Sequence, residues 1–379
     1  MAAQAAAGFP CQPVVCSTLI PAPPVDPGTN DCAYRAGNLW WVDYVAGSLA
    51  WSEPRSARPV TVAIFDDGAW IDHEELRHQL WTNEAEAHGK AGVDDDGNGY
   101  VDDLHGWDFV DDSPDVSPKG VCRERASHGT LMASLVAAER NNGVGIAAPG
   151  SDGARLMILR VVGCEGESLQ VNPARLVRAL HYATRMGARI LSFSAHWSLT
   201  TPELDAAFRE IADDPDSPVA AIVVASVPNK GEPAAGYPAA YDFRRIVRAI
   251  PIGNDNAISP GTSPAPPGRN LGAPSACVIG AGRAPSQYRI EQGSSNSTAI
   301  LAGLLAGIWA SPPYATFGVD QFLAGVVDAH LVGSARRSQP GARPPYLQGV
   351  PLADACLLAT QRRSAQVCRR PQADREALP

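Results

Sequence analysis

The chain has 379 residues, of which 45% are apolar and 19% are charged, and its formal net charge is −9. A chain of this composition can bury a large core. The acidic balance argues against a general nucleic-acid binder, which needs a basic surface to neutralise phosphates. The longest apolar run, at 299–310, is too short to cross a bilayer. We therefore expect a globular protein with no nucleic-acid partner and no membrane span.

The eight cysteines form an even number without CxxC spacing, which favours disulfide bonds over a zinc site. Cys122 with Cys164 and Cys356 with Cys368 are two candidate pairings among the many possible. Disulfides indicate an oxidising compartment, so we expect the protein to be secreted or periplasmic. The first residues, MAAQAAAGFPCQP, lack the basic and apolar regions of a signal peptide, and we interpret them as a mature or engineered terminus.

The domain organisation follows from changes in composition along the chain. Residues 1–37 are rich in Pro, Ala and Cys and have no helix or strand periodicity, so we expect an N-terminal extension there. Residues 38–359 are expected to form one domain. Residues 360–379 are expected to form a basic C-terminal tail.

Five apolar, β-branched runs predict buried strands, at 60–65, 156–162, 189–193, 219–225 and 246–252. Amphipathic stretches between them predict helices. Asn172 with Pro173 begins one of these helices, and Thr201 with Pro202 begins another. Strands that alternate with helices indicate an α/β fold with three αβα layers and a mostly parallel central sheet. Active groups are then expected at the carboxyl ends of the strands.

Three polar residues stand at the ends of predicted elements in the order Asp, His, Ser. Asp66 follows the first strand in VAIFDDG, His128 begins a helix in HGTLMAS, and Ser295 begins an apolar helix in GSSNSTAILAG. A carboxylate, an imidazole and a hydroxyl are the groups that make a serine nucleophilic. Each motif alone is common as a strand-end turn or a helix cap. The start of a helix also offers unpaired amides that favour an oxyanion.

An acidic loop, DDDGNGYVDD at 94–103, has the spacing of the first half of an oxygen-ligand calcium loop. The candidate ligands in this loop are Asp94, Asp96, Asn98, Tyr100 and Asp102. His105 occupies the place of the last glutamate, which excludes a complete EF-hand. We expect structural Ca²⁺ here, with a solvated acidic loop as the alternative.

Together these motifs resemble the subtilisin-like serine proteases, the subtilases. The resemblance extends from about residue 40 to about residue 358 and includes NNGVGIAAPG at 141–150 and IVVASVPNKG at 222–231. It implies a subtilisin-like fold and a secreted serine endopeptidase that acts on a polypeptide substrate. The family pattern maps the catalytic acid onto Asp66, the general base onto His128, the nucleophile onto Ser295 and the oxyanion-hole amide onto Asn229.

The resemblance implies further assignments and also has departures. Ser194, Ala195 and His196 match the segment that pairs with an extended substrate, and Glu75 matches a position that often ligates another calcium ion. Asp67 stands where the family has a hydroxyl residue, and Pro228 stands where it has glycine. These departures, with an altered serine segment, support one alternative, a catalytically impaired subtilase fold that acts as a calcium-stabilised binding module.

Two other hydrolase classes fit the sequence poorly. In HEELRH the two histidines, His73 and His78, are five residues apart, whereas a zinc-protease helix needs a spacing of four to place both on one face. The chain also has no GxSxG nucleophile elbow, which argues against an α/β-hydrolase lipase or esterase.

Overall fold

The structure is a computed structural model that describes residues 29–52, 56, 58–119, 127–165, 168–228, 235–253, 257–333 and 350–353. Its strands are, in chain order, β1 (Val60–Asp66), β2 (Gly106–Asp108), β3 (Ala154–Arg160), β4 (Val162–Glu165), β5 (Ser168–Val171), β6 (Ile190–Phe193), β7 (Ile222–Ser226), β8 (Ile246–Ile252), β9 (Arg269–Pro274), β10 (Val278–Ala281) and β11 (Tyr288–Glu291). Seven of them form one sheet in the order β2-β3-β1-β6-β7-β8-β9, and every pairing in it is parallel. β4 with β5 and β10 with β11 form two antiparallel hairpins.

The helices are α1 (Cys32–Arg35), α2 (Trp40–Tyr44), α3 (Gly47–Ser52), α4 (Glu84–His88), α5 (His128–Ala137), α6 (Pro173–Arg185), α7 (Pro202–Ala212), α8 (Ser294–Trp309), α9 (Val319–Phe322) and α10 (Ala329–Gly333). A 3₁₀ turn at Tyr314–Thr316 precedes α9, and a π-helical segment at Leu323–Asp328 joins α9 to α10. Within the described residues, no helix has both the length and the apolar character needed to cross a membrane.

The strand β1 illustrates how the sequence produces three layers. Val62 and Ile64 join the core on one face of the sheet, which also contains residues of α5 and α8. Ala63 and Phe65 join the core on the other face, which contains residues of α6 and α7. Successive side chains of a strand point to opposite faces, so a strand covered on both sides is apolar along most of its length. The predicted three-layer fold with a mostly parallel sheet is confirmed.

The predicted helix starts are also observed. Asn172 accepts hydrogen bonds from the amides of Ala174 and Arg175 at the start of α6. Thr201 accepts one from the amide of Leu204 at the start of α7. These side chains satisfy amides that have no partner inside the helix.

The order of the strands fixes where a site can form. The chain passes from β3, on one side of β1, to β6 on the other side, so the order reverses at β1. Crevices in open α/β sheets form at such a reversal, beyond the carboxyl ends of the strands. Ile64 of β1 pairs in register with Ser192 of β6. Asp66, the last residue of β1, and Ser194, the first residue after β6, therefore both emerge at the carboxyl edge of the sheet.

The structure describes only part of the predicted terminal segments. Ala33 and Tyr34 pack into the core on the α5 and α8 side, although the predicted boundary of the extension is at residue 37. Residues 1–28 and 354–379 lie outside the described residues. Cys32 and Cys277 are each disulfide-bonded. The suggested pairs, Cys122 with Cys164 and Cys356 with Cys368, each include a residue outside the described part and stay predictions.

Candidate active site

The carboxylate of Asp66 contacts the ring of His128. The distance from His128 Nδ1 is 2.9 Å to each carboxylate oxygen. The Asp66 side chain is only 5% exposed, whereas that of His128 is 36% exposed. A carboxylate held at Nδ1 orients the imidazole and favours its charged form, which leaves Nε2 to exchange protons with a reactant.

Asp67 anchors the start of α5. Its carboxylate accepts hydrogen bonds from the amides of Ser127 at 3.2 Å, His128 at 3.3 Å and Gly129 at 2.8 Å. A helix leaves its first amides unpaired and positive, so a carboxylate is well suited to this place. Ser127 has φ of 123°, a conformation that is unusual for a residue other than glycine. Asp67 therefore holds the strained backbone that leads into His128.

The charges of these three side chains are coupled. Burial and the charge of Asp66 raise the pKa of Asp67 to about 6. Burial disfavours the charged imidazole of His128, but the charges of Asp66 and Asp67 outweigh burial and raise the pKa of His128. The pKa of Asp67 is thus shifted toward neutral pH, and the charged form of His128 is favoured.

The hydroxyl of Ser295 is hydrogen-bonded to the segment that follows β6. Ser295 Oγ donates to the carbonyl oxygen of Ser194 at 2.9 Å, and Ser194 Oγ donates to the carbonyl oxygen of Ser295 at 3.2 Å. In the described structure no hydrogen bond joins Ser295 to His128, although both line one cavity of about 260 Å³. Catalytic hydrogen bonds often tighten only once substrate is bound. The structure thus brings the three predicted residues to one site and shows direct contact for Asp66 and His128.

The altered serine segment has a structural role at the start of α8. Ser294 Oγ is 3.0 Å from Ser226 Oγ at the end of β7. Asn296 donates to the carbonyl of Ser275 at 3.1 Å. Ser297 donates to the carbonyl of Ala273 at 2.8 Å. These polar side chains fasten the start of α8 to the carboxyl ends of the strands.

The remaining predicted substrate and oxyanion residues have different outcomes. Ser194, Ala195 and His196 directly follow β6, at the edge of the sheet where Asp66 lies. Asn229 lies outside the described residues, which end before it at Pro228. The carbonyl of Pro228 accepts a hydrogen bond from the amide of Ser263 at 2.8 Å. The oxyanion role of Asn229 stays a prediction.

The acidic loop brings Asp94 and Asp96 together with Glu86 of α4. One carboxylate oxygen from each of the three lies within 4.8 Å of the others. Glu86 was not among the predicted ligands. Glu86 also accepts hydrogen bonds from the backbone amides of Asp95 at 2.8 Å and Asp102 at 2.9 Å. These bonds hold the backbone of the loop in place. Three converging carboxylates fit a hard cation such as Ca²⁺.

Other predicted ligands are not part of this group of carboxylates. Asp102 accepts from the amide of Gly92 at 2.8 Å. The side-chain amide nitrogen of Asn98 donates to Asp96 at 3.0 Å, as a neighbour of the cluster. The ring of Tyr100 packs edge-on against Trp107 and Tyr182.

Glu75 lies in a separate, fully buried position. It accepts hydrogen bonds from the amide of Ile146 at 2.6 Å, from the hydroxyl of Tyr288 at 2.8 Å and from the side chain of Asn142 at 3.2 Å. Burial raises the pKa of Glu75 well above its usual value, and the nearby charge of Asp31 adds to this effect. Two buried carboxyl groups in one place resist ionisation unless a cation or a proton compensates them.

Comparison with known proteins covers most of the region just described. The profile of the subtilase family matches residues 57–350. Over 206 residues the chain is 30% identical to thermitase of Thermoactinomyces vulgaris, covering 54% of this chain and 67% of thermitase. Over 210 residues it is 27% identical to the major intracellular serine protease of Bacillus subtilis, covering 54% of this chain and 55% of that protein.

A shorter match has higher identity. Over 98 residues the chain is 37% identical to subtilisin-like protease 1 of Plasmodium vivax, covering 26% of this chain and only 14% of that much longer protein. The family match, by contrast, spans more than half of the chain and includes Asp66, His128 and Ser295. The chain belongs to the subtilase family.

Proposed function

We propose that this protein is a serine endopeptidase that hydrolyses peptide bonds in polypeptide substrates through Asp66, His128 and Ser295. The observation that carries the proposal is the contact between Asp66 and His128 Nδ1 at 2.9 Å, beside a cavity that Ser295 also lines. Membership of the subtilase family supports the same reaction. We further propose a secreted or periplasmic location, which the disulfide-bonded Cys32 and Cys277 support.

In the proposed reaction, Ser295 Oγ attacks the carbonyl carbon of the substrate while His128 Nε2 takes the hydroxyl proton. The negative oxygen of the tetrahedral intermediate would be stabilised by the amides at the start of α8 and by Asn229. The intermediate then breaks the C–N bond, and His128 gives its proton to the leaving amine. Water releases the acyl group by the same steps, with His128 again as base. Asp66 stabilises the imidazolium in both halves.

A fluorophosphonate probe tests the nucleophile. We expect purified protein to be labelled, and we expect Ser295→Ala to abolish labelling and lower peptide hydrolysis by about 10⁴-fold or more, since triad members act as a unit. Ser286→Ala, at an exposed position, is the matched control and should label normally. Labelling that persists in Ser295→Ala would show that another residue is the nucleophile. A folded wild-type protein that is not labelled would favour the binding module.

We propose that Glu86, Asp94 and Asp96 hold a structural Ca²⁺, which would neutralise their mutual repulsion and fix the acidic loop. Saturating Ca²⁺ should raise the Tm of the wild type by about 5 °C, because a ligand that binds only the native state stabilises it. Glu86→Gln should lose most of this rise, and Glu203→Gln, at an exposed position on α7, should keep it.

Glu75→Gln separates the two calcium hypotheses. A calcium-dependent rise that disappears in Glu75→Gln but persists in Glu86→Gln would assign the ion to the buried position near Asp31. The absence of any rise in the wild type would contradict both assignments and would favour a solvated acidic loop.

A further inference from the structure

The cavity beside Ser295 and His128 has an arginine-rich wall. It is lined by both of these residues and by the hairpin of β10 and β11, which contributes Arg283 and Arg289. Glu291 and Gln292 follow on the same wall. The volume of about 260 Å³ is below the range typical of sites for drug-sized ligands, and it suits a single side chain or chain end.

Both guanidinium groups have unused hydrogen-bonding capacity. Arg283 is exposed and makes no hydrogen bond or ion pair with any described residue. Arg289 has a side chain only 17% exposed, and its carboxylate neighbour, Glu291, is 3.6 Å away, beyond a normal hydrogen bond. One Nη of Arg289 donates to the carbonyl of Ser127 at 3.4 Å, and its Nε has no partner in the described structure. A guanidinium has five N–H donors, so most of those on Arg289 are unused.

The charge of the wall is positive. Among the described residues of the lining, Arg283 and Arg289 stand against one carboxylate, that of Glu291. Burial lowers the pKa of Arg289, but arginine remains charged in proteins. Asp66 and Asp67 also act on Arg289 through their charges, yet neither lines the cavity. A group that enters the cavity therefore lies near two guanidiniums, and charge-assisted hydrogen bonds to the mostly buried Arg289 are strong.

The position of the cavity indicates which part of a substrate would enter it. His128 must reach the leaving amine in order to protonate it, so the leaving-group side of the substrate lies next to the imidazole. The cavity is bounded by His128 and by the hairpin, and it includes none of residues 194–196 at the end of β6. The cavity is therefore distinct from the segment at 194–196 that is predicted to pair with the substrate, and it lies next to the imidazole, where the leaving group must be.

We propose, on the basis of the endopeptidase function proposed above, that this cavity selects a carboxylate on the leaving-group side of the scissile bond, with Arg283 and Arg289 as specificity-determining residues. The carboxylate could belong to an Asp or Glu side chain directly after the bond or to the C-terminus of a short leaving peptide. Both present the planar pair of oxygens that arginine binds in bidentate fashion.

Two pairs of peptides distinguish these sources. In the first pair, Glu or Gln directly follows the cleaved bond, and in the second pair the leaving peptide ends in a carboxylate or an amide. We expect wild-type kcat/KM to favour the acidic member of at least one pair by about tenfold, as for one charge-assisted hydrogen bond. The pair that shows the preference identifies the source. The preference should shrink at high salt, which screens exposed charges.

Variants of the wall assign the preference to its residues. Arg283→Gln is the cleaner change, because the exposed Arg283 has no hydrogen bond or ion pair with a described residue, and it should reduce the preference several-fold. Arg283→Glu should reverse it toward a peptide with Lys after the bond. Arg289→Gln should reduce it further, with a melting curve to check folding because Arg289 contacts Ser127. Arg185→Gln, at an exposed position on α6, is the matched control and should keep the wild-type ratio.

The outcomes separate this inference from the proposed reaction. A wild type that is labelled by fluorophosphonate but cleaves both members of each pair equally would overturn the carboxylate pocket and leave the endopeptidase proposal standing. If labelling fails, anisotropy of fluorescent peptides on Ser295→Ala still measures the pocket. Tighter binding of the acidic peptides supports it, and equal binding overturns it.

Discussion

Asp67 shows how one residue changes the balance of the site. The family hydroxyl at this position has two lone pairs, whereas the carboxylate accepts the amides of Ser127, His128 and Gly129. The carboxylate also places a second negative charge beside Asp66. Burial and the charge of Asp66 together raise the pKa of Asp67 to about 6. Asp67 is thus a positioning residue for His128 that also acts on its charge.

Asp67→Asn should shift the acid limb of the pH profile to lower pH. The charge of Asp67 helps to raise the pKa of His128, so its removal makes the imidazole easier to deprotonate. The rate of fluorophosphonate labelling against pH measures this shift. Asp216→Asn, at an exposed position, is the control and should leave the profile unchanged.

The stability of the same variant gives an independent reading. Asp67 keeps its proton up to about pH 6 in the native state but releases it near 3.8 when unfolded. The native state therefore binds more protons between these values, so the stabilising effect of the bound proton, complete at low pH, is lost as pH rises from about 4 to 6. Asp67→Asn should lack this loss in denaturant titrations. If the variant loses the same stability over this pH range, a group other than Asp67 must be responsible.

Two helices carry His128 and Ser295, which we propose to be catalytic, and the close packing of these helices depends on glycine. α5 begins with His128, and α8 contains Ser295 in its first turn. A Cβ on Gly303 of α8 would overlap the carbonyl oxygen of Val136 in α5. The backbones of the two helices can approach this closely only because Gly303 has no side chain.

Gly303→Ala should therefore separate the two helices. We expect a loss of about 1–3 kcal/mol in the free energy of unfolding, the usual cost of overpacking a core. Fluorophosphonate labelling should also slow, because Ser295 moves relative to His128. Gly318→Ala is the control, because a Cβ there meets nothing within 4 Å. Equal stabilities of the two variants would show that α5 and α8 can shift without cost.

At the scale of the whole molecule, the sequence predicts those features that depend on strand and helix periodicity. The apolar runs predict the strands, and parallel strands bring their carboxyl ends to one edge. The contact between Asp66 and His128 agrees with this rule, but their pairing was implied by the resemblance to the subtilases. The helix that begins at His128 and the helix that contains Ser295 were predictable from the apolar residues within them.

Features that depend on tertiary contacts were not predictable. Glu86 reaches the acidic loop from α4, and no local pattern links it to Asp94. The arginines of the β10 and β11 hairpin carry no recognisable motif, and only the fold brings them to the cavity. The direction of the Ser295 hydroxyl is a matter of its rotamer, which periodicity does not determine. A predicted strand start at Val219 also proved to be a turn, and β7 begins at Ile222.

The pairing of Ile64 with Ser192 has a consequence for how such proteins diverge. Adding or deleting one residue within β1 would exchange the two faces of the strand and carry the Asp66 side chain to the wrong side. Replacing one apolar residue by another of similar size would leave the count unchanged. Apolar substitutions in this strand should therefore be tolerated far better than insertions or deletions of a single residue.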